Sequence, residues 1–347
     1  MKAAWWMGTH NVEVGVVPKP TITDPHDAII QISHCTISGS DIQLYEGELN
    51  ESMEKGDILG QEAIGLVEDV GAKVQTLKPG DRVIILPVIS CGSCNDCQKK
   101  QYSLCGNTNP SRDMEAAYRH RISGRLGYSR FCGGYPGDQA EYCRVPNADL
   151  TCIRAPRGID ARKLLGLSNV ATTAWHALEL AEGREGDVVA VWGCGPVGLA
   201  VQRLAKLRGA KKVYAMDRDS QRLRIAEDFG MMPVDVSLHQ EVGAYLLSIQ
   251  EDGLDRAIEA MCRSLDMLLC GLFGLERDSG DTLEDIIRAT RKGGHVALVG
   301  DSFFTTHDFP IGPMMQKALT VRGGQVCPQK YYPFLLDLVV QGKIDPS

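Results

Sequence analysis

The sequence predicts an α/β protein in which a β-rich first domain is followed by a doubly wound parallel sheet. Three observations support this prediction. Residues 187–222 read as strand, glycine turn, helix and strand, the alternation of strands and helices continues after them, and short β-rich runs separated by turns occupy residues 1–150. At 347 residues the chain is longer than a single typical core, so two domains are expected.

The second domain is predicted from a glycine-rich turn between two strands. Val188–Trp192 is an apolar run without polar alternation, as expected of a parallel strand buried on both faces. The turn GCGPVG at 193–198 follows at once, and apolar residues then recur at helical spacing up to Leu204. Lys212–Met216 is the next strand, and Asp217 follows it directly. This succession predicts a Rossmann unit that binds a dinucleotide.

The residues of this turn have separate roles in binding a diphosphate. Gly193 permits the tight turn, Gly195 lets a pyrophosphate approach the backbone, and Gly198 lets the helix pack on the strand. The helix begins at Pro196 and Val197, where free N–H groups and the positive end of the helix dipole favour an anion.

The acid after the second strand bears on the choice of cofactor. Asp217 follows the first glycine of the turn by 24 residues, the spacing from which a carboxylate accepts the hydroxyls of an adenosine ribose. A 2′-phosphate would meet like charge there, so NAD(H) is favoured over NADP(H). Arg218 and Arg222 either soften this preference or belong to a solvated helix start. Val299, which ends a later predicted strand, is expected to be a further cofactor contact.

Composition limits the classes of partner. A net charge of −7 and a pI near 5.7 argue against a nucleic-acid surface and against an anionic membrane. No apolar run approaches about 18 residues, and the N-terminus does not resemble a signal peptide. We therefore expect a cytoplasmic protein with a small-molecule substrate, and we expect its twelve cysteines to be reduced.

Four of these cysteines form the strongest local motif. Cys91, Cys94, Cys97 and Cys105 have the spacing CxxCxxCx7C, from which four thiolates can surround one Zn²⁺. An iron–sulfur cluster or a group of free thiols are the alternatives. A closed four-sulfur site leaves no position for water or substrate, so the sequence predicts one structural zinc per chain.

The remaining elements are read from periodicity. The first 150 residues have β-rich runs at 28–33, 64–70 and 82–88 and no useful helical period, so an all-β domain is predicted. Arginines in the glycine-rich stretch 106–145, Arg125 among them, either bind an anion or lie in a solvated loop. In the second half, strands alternate with helices except at residues 263–281, which interrupt the pattern. The predicted helices lie at 164–181, 242–249, 282–291 and 331–340, and the predicted strands at 233–236, 255–260 and 295–299.

A β-rich domain with a four-cysteine lobe, followed by a Rossmann domain, resembles the zinc-containing medium-chain alcohol dehydrogenase superfamily. The likeness is greatest to the branch of glutathione-independent formaldehyde dehydrogenases. It implies a GroES-like catalytic domain, an NAD(H) domain, an active site in the cleft between them, and a homodimer or homotetramer. The stretches that carry it are PGDQAEYCRVP at 136–146, VWGCGPVGL at 191–199, the interruption at 263–281 and FPIGPMMQKALTVRGGQ at 309–325.

The resemblance also divides the chain. It implies a catalytic domain over 1–160 with the zinc lobe at about 91–105, an NAD-binding domain over 161–320, and a return segment to the catalytic domain over 321–347. Because the family continues for some tens of residues beyond this point, we expect the C-terminus to be truncated or its last segment to be absent.

The family's catalytic zinc site does not carry over residue by residue. Ser38 stands where the family has a cysteine, Gln61 where it has a histidine, and Asn169 where it has an aspartate or cysteine. A hydroxyl and two carboxamides are poor zinc ligands, so the resemblance implies that the catalytic metal is lost. The alternative is that His34 or Cys35 replaces a ligand, but both belong to the preceding strand, where a packing role is favoured. With the metal lost, Ser40, Glu62 and Thr173 become the catalytic candidates: a hydroxyl at the substrate oxygen, a general acid and a nicotinamide contact.

Zinc in this family polarises a carbonyl or an alkoxide, so a chain without it is expected to interconvert plain alcohols and aldehydes slowly. The first hypothesis is an NAD(P)H-dependent reductase of an activated C=C or C=N bond, such as an enal, an enone or an iminium, in specialised metabolism. The alternatives are a non-redox cyclase or lyase that uses the same cleft with bound NAD, a non-catalytic binding protein, and a conventional zinc alcohol or aldehyde dehydrogenase.

Overall fold

The chain divides into two units, which we describe separately. The structure, a computed structural model, describes residues 1–261, 278–301 and 309–346. One unit contains Met1–Thr172 and Val326–Ser347, and the other contains Thr173–Gln325. The limits at 160 and 320 remain sequence predictions. The predicted interruption at 263–281 lies mostly outside the described residues.

The first unit is built on an antiparallel sheet. Its five strands have the order β8-β3-β4-β5-β9, and two further strand pairs, β1-β2 and β6-β7, accompany it. Its strands are β1 (Lys2–Gly8), β2 (Asn11–Val16), β3 (Ala28–Cys35), β4 (Ala63–Val70), β5 (Arg82–Ile85), β6 (Val88–Ile89), β7 (Gly124–Arg125), β8 (Tyr142–Val145) and β9 (Cys152–Arg154).

The pairing of β3 with β4 positions the polar site described below. Ile30, Val67 and Val83 are at most 2% exposed and pack in one core cluster, which fixes the face that each strand buries. In the same pairing Cys35, the last residue of β3, lies opposite Ala63, the first residue of β4. The residues that follow β3 and those that precede β4 are therefore neighbours.

The expectation of an all-β first domain is wrong in detail, because short helices lie within it. The helix α1 begins after Ser38, whose backbone N–H donates to Asp41 at 2.6 Å in a capping interaction. Helices of two turns offer too few positions to establish a period, so local caps decide them. The helices of this unit are α1 (Gly39–Glu46), α2 (Asn95–Gln98), α3 (Arg112–Tyr118), α4 (Ala148–Thr151), α5 (Ala161–Leu165), the start of α6 (Val170–Leu180) and the final α12 (Pro328–Val340).

The second unit is a six-stranded parallel sheet. Its order is β12-β11-β10-β13-β14-β15, so the strand order reverses beside β10, the strand that leads into the glycine turn. This confirms the predicted doubly wound sheet. Its strands are β10 (Val188–Trp192), β11 (Lys212–Asp217), β12 (Met232–Asp235), β13 (Leu254–Glu259), β14 (Thr290–Leu298) and β15 (Thr320–Gly323); its helices are the rest of α6, α7 (Pro196–Leu207), α8 (Ser220–Asp228), α9 (Val242–Ile249), α10 (Asp278–Ala289) and α11 (Ile311–Gln316).

One strand of this sheet lies within the predicted return segment. Residues 321–323 belong to β15, which pairs in parallel with β14, and the residues of the first unit resume at Val326. A four-residue strand that ends on glycine has too little alternation to be distinguished from a loop in sequence. Among the described residues no helix is both long and apolar enough to cross a membrane.

Candidate functional site

The glycine turn has the geometry that its sequence predicts. Gly193 has φ +102°, a left-handed conformation that favours glycine. A Cβ placed on Gly198 would lie 1.9 Å from the carbonyl oxygen of Gly193, so the helix approaches the strand closely only because residue 198 has no side chain. A Cβ on Gly195, in contrast, would meet no atom within 4 Å. The turn is thus closed at its base and open beside Gly195.

The open side of the turn coincides with the start of α7. Gly195 is the N-cap of this helix and offers no side-chain acceptor, and Pro196 has no N–H to satisfy. The N–H groups of Val197 and Gly198 therefore lie at the positive end of a twelve-residue helix without a side-chain cap. A dinucleotide diphosphate fits these donors.

Asp217 ties the glycine turn to the end of β11. Its Oδ2 accepts a hydrogen bond from the N–H of Cys194 at 2.7 Å, and its Oδ1 accepts from the N–H groups of Arg218 and Asp219 at 2.8 and 3.0 Å. Arg222 Nη1 lies 4.0 Å from Oδ2. The sequence suggested a ribose ligand but did not indicate this second role, which makes the acid part of the turn.

Like Asp217 at the end of β11, Val299 lies at the carboxyl ends of the parallel strands, just after β14. Its N–H donates to the carbonyl oxygen of Glu259 at 3.0 Å, and the following Gly300 donates to the Glu259 carboxylate at 3.2 Å. Its backbone is therefore held at the carboxyl ends of the parallel strands, where dinucleotides bind in such sheets.

The four clustered cysteines form a compact group. The Sγ atoms of Cys91, Cys94, Cys97 and Cys105 all lie within 4.8 Å of one another, and the Cys91–Cys97 and Cys94–Cys105 pairs are 4.0 and 3.9 Å apart. Four sulfurs at zinc-binding distance in a tetrahedron are about 3.8 Å apart. The group fits a structural zinc, and within the described residues it is the only cluster of three or more His, Cys, Asp or Glu side chains suited to a metal.

Supporting contacts that the sequence did not indicate surround these sulfurs. Cys91 Sγ accepts from the N–H of Cys94 at 3.4 Å and from the side chains of Ser93 and Asn107, both at 3.6 Å. Cys105 Sγ accepts from the N–H of Cys91 at 3.3 Å. Such N–H and O–H donors stabilise negative charge on sulfur, as metal-bound thiolates require.

A third group of polar side chains lies where β3 ends and β4 begins. Gln61 Nε2 donates to Ser38 Oγ at 3.3 Å, and Ser38 Oγ donates to Asp41 Oδ2 at 2.8 Å. Gln61 Oε1 accepts from Arg125 Nη2 at 3.1 Å. The structure thus joins two of the predicted ligand positions directly, and it adds a buried arginine that sequence analysis placed in a solvated or anion-binding loop.

The third predicted position, Asn169, joins this group through Glu62. Asn169 Nδ2 donates to Glu62 Oε1 at 2.9 Å, and Thr36 Oγ1 donates to Glu62 Oε2 at 2.7 Å. Burial raises the pKa of the Glu62 carboxyl, while these two donors lower it. Both Glu62 oxygens are therefore engaged within the protein.

The sequence matches known proteins over its whole length. Residues 24–157 match the alcohol dehydrogenase GroES-like domain. A zinc-type alcohol dehydrogenase-like protein of Schizosaccharomyces pombe is 40% identical over 352 residues, which cover 100% of this chain and 83% of the relative. The chain belongs to the zinc-type alcohol dehydrogenase family.

Further members agree in fold. The alcohol dehydrogenase TADH from Thermus sp. ATN1 has a TM-score of 0.85 and 30% identity, covering 100% of this chain and 90% of that chain. A glutathione-independent formaldehyde dehydrogenase of Pseudomonas aeruginosa is 31% identical over 87% of this chain and 75% of the relative, and is thus more distant than the yeast protein. The predicted superfamily, the GroES-like and Rossmann domains and the oxidoreductase class are confirmed.

Ser38, Gln61 and Asn169 do not have the chemistry of ligands to a catalytic zinc of the alcohol dehydrogenase type. A hydroxyl and two carboxamides offer no thiolate, imidazole or carboxylate ligand, and hydrogen bonds already pair Ser38, Gln61 and Asn169 with protein groups. A zinc ion bound to Gln61 would also lie within roughly 5 Å of the Arg125 guanidinium. At that separation the repulsion between Zn²⁺ and the single positive charge of the guanidinium is about 7 kcal/mol for an effective dielectric constant of 20.

Two further residues, Ser40 and Thr173, are predicted to be catalytic. Ser40 is half-buried on α1, and among the described residues its hydroxyl makes no hydrogen bond. Thr173 lies on α6, the helix within which the chain passes from the first unit to the second. Ser40 is therefore available to a ligand, whereas Glu62 is held by Asn169 and Thr36.

Asp138 is a buried acid that sequence reasoning missed. It is 0% exposed, and neither of its carboxylate oxygens has a hydrogen-bond partner in the described structure. Burial, reinforced by the nearby charges of Asp41 and Glu62, raises the pKa of Asp138 well above its usual value. It lies in the PGDQAEY stretch, which carries the family resemblance but has no local pattern that indicates which aspartates become enclosed.

We expect Asp138→Asn to change how stability depends on pH. Because the pKa of Asp138 is raised by folding, the folded protein keeps this proton to a higher pH than the unfolded chain, which releases it above pH ~4. The free energy of unfolding therefore falls as the pH rises between the two pKa values, by up to ~1.4 kcal/mol per pH unit for one group. Asparagine removes this slope. The free energy of unfolding, measured by chemical denaturation at pH 5.5 and 7.5, should therefore fall less with pH in the variant than in the parent.

Asp149→Asn is the matched control for this prediction. Although burial opposes it, hydrogen bonds from Thr76 and Gln75 hold the pKa of Asp149 below its usual value. The stabilisation that Asp149 gives to the fold is present above pH ~4 and is lost only below that pH. Asp149→Asn should therefore lower the free energy of unfolding by the same amount at pH 5.5 and at pH 7.5. Equal pH slopes in the parent and in Asp138→Asn would contradict a protonated Asp138.

Proposed function

We propose that this protein is an NAD(H)-dependent reductase that works without a catalytic metal on an activated C=C or C=N bond. The observation that carries the proposal is the hydrogen-bonded pairing of Ser38, Gln61 and Asn169 with neighbouring protein groups at the positions that the family uses for zinc. Its substrate is a small molecule such as an enal, an enone or an iminium. We further propose a cytoplasmic homodimer or homotetramer with one structural zinc per chain, held by the four clustered cysteines.

The described residues support binding of the cofactor in this proposal. NAD(H), when bound, supplies the hydride. The N–H groups of Val197 and Gly198 hold the diphosphate beside the open face of Gly195, and Asp217 orders the turn that presents them. Thr173, at the family's position beside the nicotinamide, is proposed as a ring contact.

An activated double bond removes the need for a Lewis acid. Conjugation to a carbonyl makes the β-carbon of an enal or enone electrophilic, and the positive charge of an iminium does the same for its carbon. Hydride would add to that carbon, and the electron pair of the double bond would move to the conjugated oxygen or to the nitrogen. For an enal or enone, a proton from solvent water would then add to the α-carbon and form the second new C–H bond. Ser40, whose hydroxyl makes no hydrogen bond among the described residues, is the proposed contact to substrate oxygen. Glu62 is assigned to holding Asn169 and Thr36 and not to proton transfer, because both its oxygens accept hydrogen bonds.

The test compares a conjugated enal with the saturated aldehyde of the same length. Oxidation of NADH, followed at 340 nm, should be at least ~100-fold faster with the enal, because a metal-free site supplies no several-kcal/mol polarisation of a plain carbonyl. Product formation at constant NADH would indicate a non-redox reaction instead. Comparable rates with both substrates would contradict the proposal and favour a conventional dehydrogenase.

The proposed cofactor preference gives a separate prediction. NADH should bind at least ~10-fold more tightly than NADPH, since Asp217 repels a 2′-phosphate. Asp217→Asn keeps one acceptor oxygen for the turn and removes the charge, so the ratio of the two dissociation constants should fall towards one. Calorimetric titration of both cofactors measures it. Tighter NADPH binding by the parent would mean that Arg218 and Arg222 outweigh the acid.

A further inference from the structure

Arg125 is a buried cation in the polar group at the end of β3. It lies on β7, which pairs with β6, and it is only 7% exposed. Its Nη2 donates to Gln61 Oε1 at 3.1 Å, and its guanidinium carbon lies 4.3 Å from the centre of the Tyr128 ring. Arginine is rarely enclosed to this degree, so its placement beside Gln61 calls for a function.

The guanidinium determines the orientation of the Gln61 amide. Arginine has only donors and does not lose its proton in proteins, so the Gln61 atom that faces it has to be the oxygen. The amide nitrogen, which has only donors, then faces Ser38. Because Ser38 Oγ accepts there, its single proton is directed to Asp41, 2.8 Å away.

The hydrogen-bond chain ends on Asp41, whose carboxyl group accepts three hydrogen bonds. One oxygen accepts from Ser38 Oγ and from the N–H of Ser38, and the other accepts from the N–H of Gly60. Burial raises the pKa of Asp41, while these donors and the charge of Arg125 lower it. The bonds from Arg125 to Gln61, from Gln61 to Ser38 and from Ser38 to Asp41 thus all run in one direction.

We propose that Arg125 is the positioning residue of this site: its charge excludes a metal ion, and its donors fix the direction of the Gln61 and Ser38 hydrogen bonds. This inference rests on the proposed function and deepens it, because both describe a metal-free site. A divalent cation at position 61 would be close to the guanidinium, and Ser38 would have to surrender its bond to Asp41 to act as a ligand.

The test adds zinc ligands with and without Arg125. The triple variant Ser38→Cys, Gln61→His and Asn169→Asp places a thiolate, an imidazole and a carboxylate at the three positions. Zn²⁺ itself is the probe, and its dissociation constant at the second site is measured by competition with a chromogenic chelator. Adding Arg125→Leu to the triple variant should tighten that binding at least ~10-fold, because the repelling charge is gone.

Two controls separate charge from packing. Arg125→Lys in the triple variant keeps a cation and should leave zinc affinity within about threefold of the triple variant. Arg121→Leu removes a more exposed arginine of the same unit, which donates to the Asn109 carbonyl, and should change affinity less than about twofold. Retention of the structural zinc shows that each variant is folded; where Arg125→Leu does not fold, Arg125→Gln replaces it.

Equal zinc affinity with and without Arg125, or no second zinc in any variant, would overturn this inference. Neither result concerns the metal content of the unmodified protein. Two zinc ions in that protein would contradict the proposed function, independently of the role of Arg125.

The direction of the hydrogen bonds is tested by a double-mutant cycle in the otherwise native chain. Arg125 and Ser38 are linked through Gln61. The effect of combining Arg125→Leu with Ser38→Ala on the equilibrium constant of unfolding should therefore differ from the product of the two single effects by at least ~3-fold. An additive pair would overturn the assigned direction.

Discussion

Replacing Cys97 by serine should release the structural zinc and unfold the lobe that carries it. Cys97 is 3% exposed, and its Sγ lies 4.0 Å from that of Cys91 within a group of four sulfurs. Three thiolates and a hydroxyl do not close a zinc site, and the binding free energy of a structural zinc is folding free energy. We expect the melting temperature to fall by on the order of 10 °C, with less than one zinc per chain by elemental analysis.

Cys143→Ser is the matched control, because Cys143 is 2% exposed, lies in the same unit and is outside the sulfur group. Burying a hydroxyl there should cost ~1–2 kcal/mol and leave one zinc per chain. A Cys97→Ser protein that keeps its zinc and its melting temperature would contradict a structural site.

The second large effect is expected on the cofactor, from Gly195→Asp. A Cβ at Gly195 meets no atom within 4 Å, and its φ of −69° suits any residue. Aspartate is moreover a favourable N-cap, so the fold should be unchanged or slightly stabilised. The new carboxylate would lie where the diphosphate binds, and we expect the dissociation constant of NADH to rise on the order of 100-fold by fluorescence titration.

Gly312→Asp provides the control for added charge. It lies in α11 of the same unit, and a Cβ there also meets no atom within 4 Å. NADH affinity should change less than about twofold, since the site is not part of the glycine turn. Unchanged affinity in Gly195→Asp would place the diphosphate elsewhere, whereas loss of folding would mean that the space beside Gly195 is not open.

The elements predicted correctly are those whose function imposes a local pattern. The glycine turn needs particular residues at fixed spacing, and β10 is observed as predicted, at Val188–Trp192. The zinc lobe is similar, since one short loop supplies all four sulfurs and their proximity follows from the spacing. In both cases sequence separation and spatial separation are small.

The features that were missed depend on contacts between distant residues. Arg125 meets Gln61 across 64 positions of sequence, and Asn169 meets Glu62 across 107. No local pattern shows that a glycine-rich arginine loop becomes enclosed, or that Asp138 loses contact with water. The resemblance identified Ser38, Gln61 and Asn169 as departures from the family, but the hydrogen bonds that these side chains make are visible only in the structure.

The number of zinc ions per chain tests the central claim most directly. The protein should be purified without chelators, and zinc should be determined by mass spectrometry against a quantitative amino-acid analysis, in the parent and in Cys97→Ser. We predict one zinc per chain in the parent and less than one in the variant, because the described residues provide a single group suited to the ion. Two zinc ions per chain in the parent, with one retained in Cys97→Ser, would contradict a metal-free catalytic site.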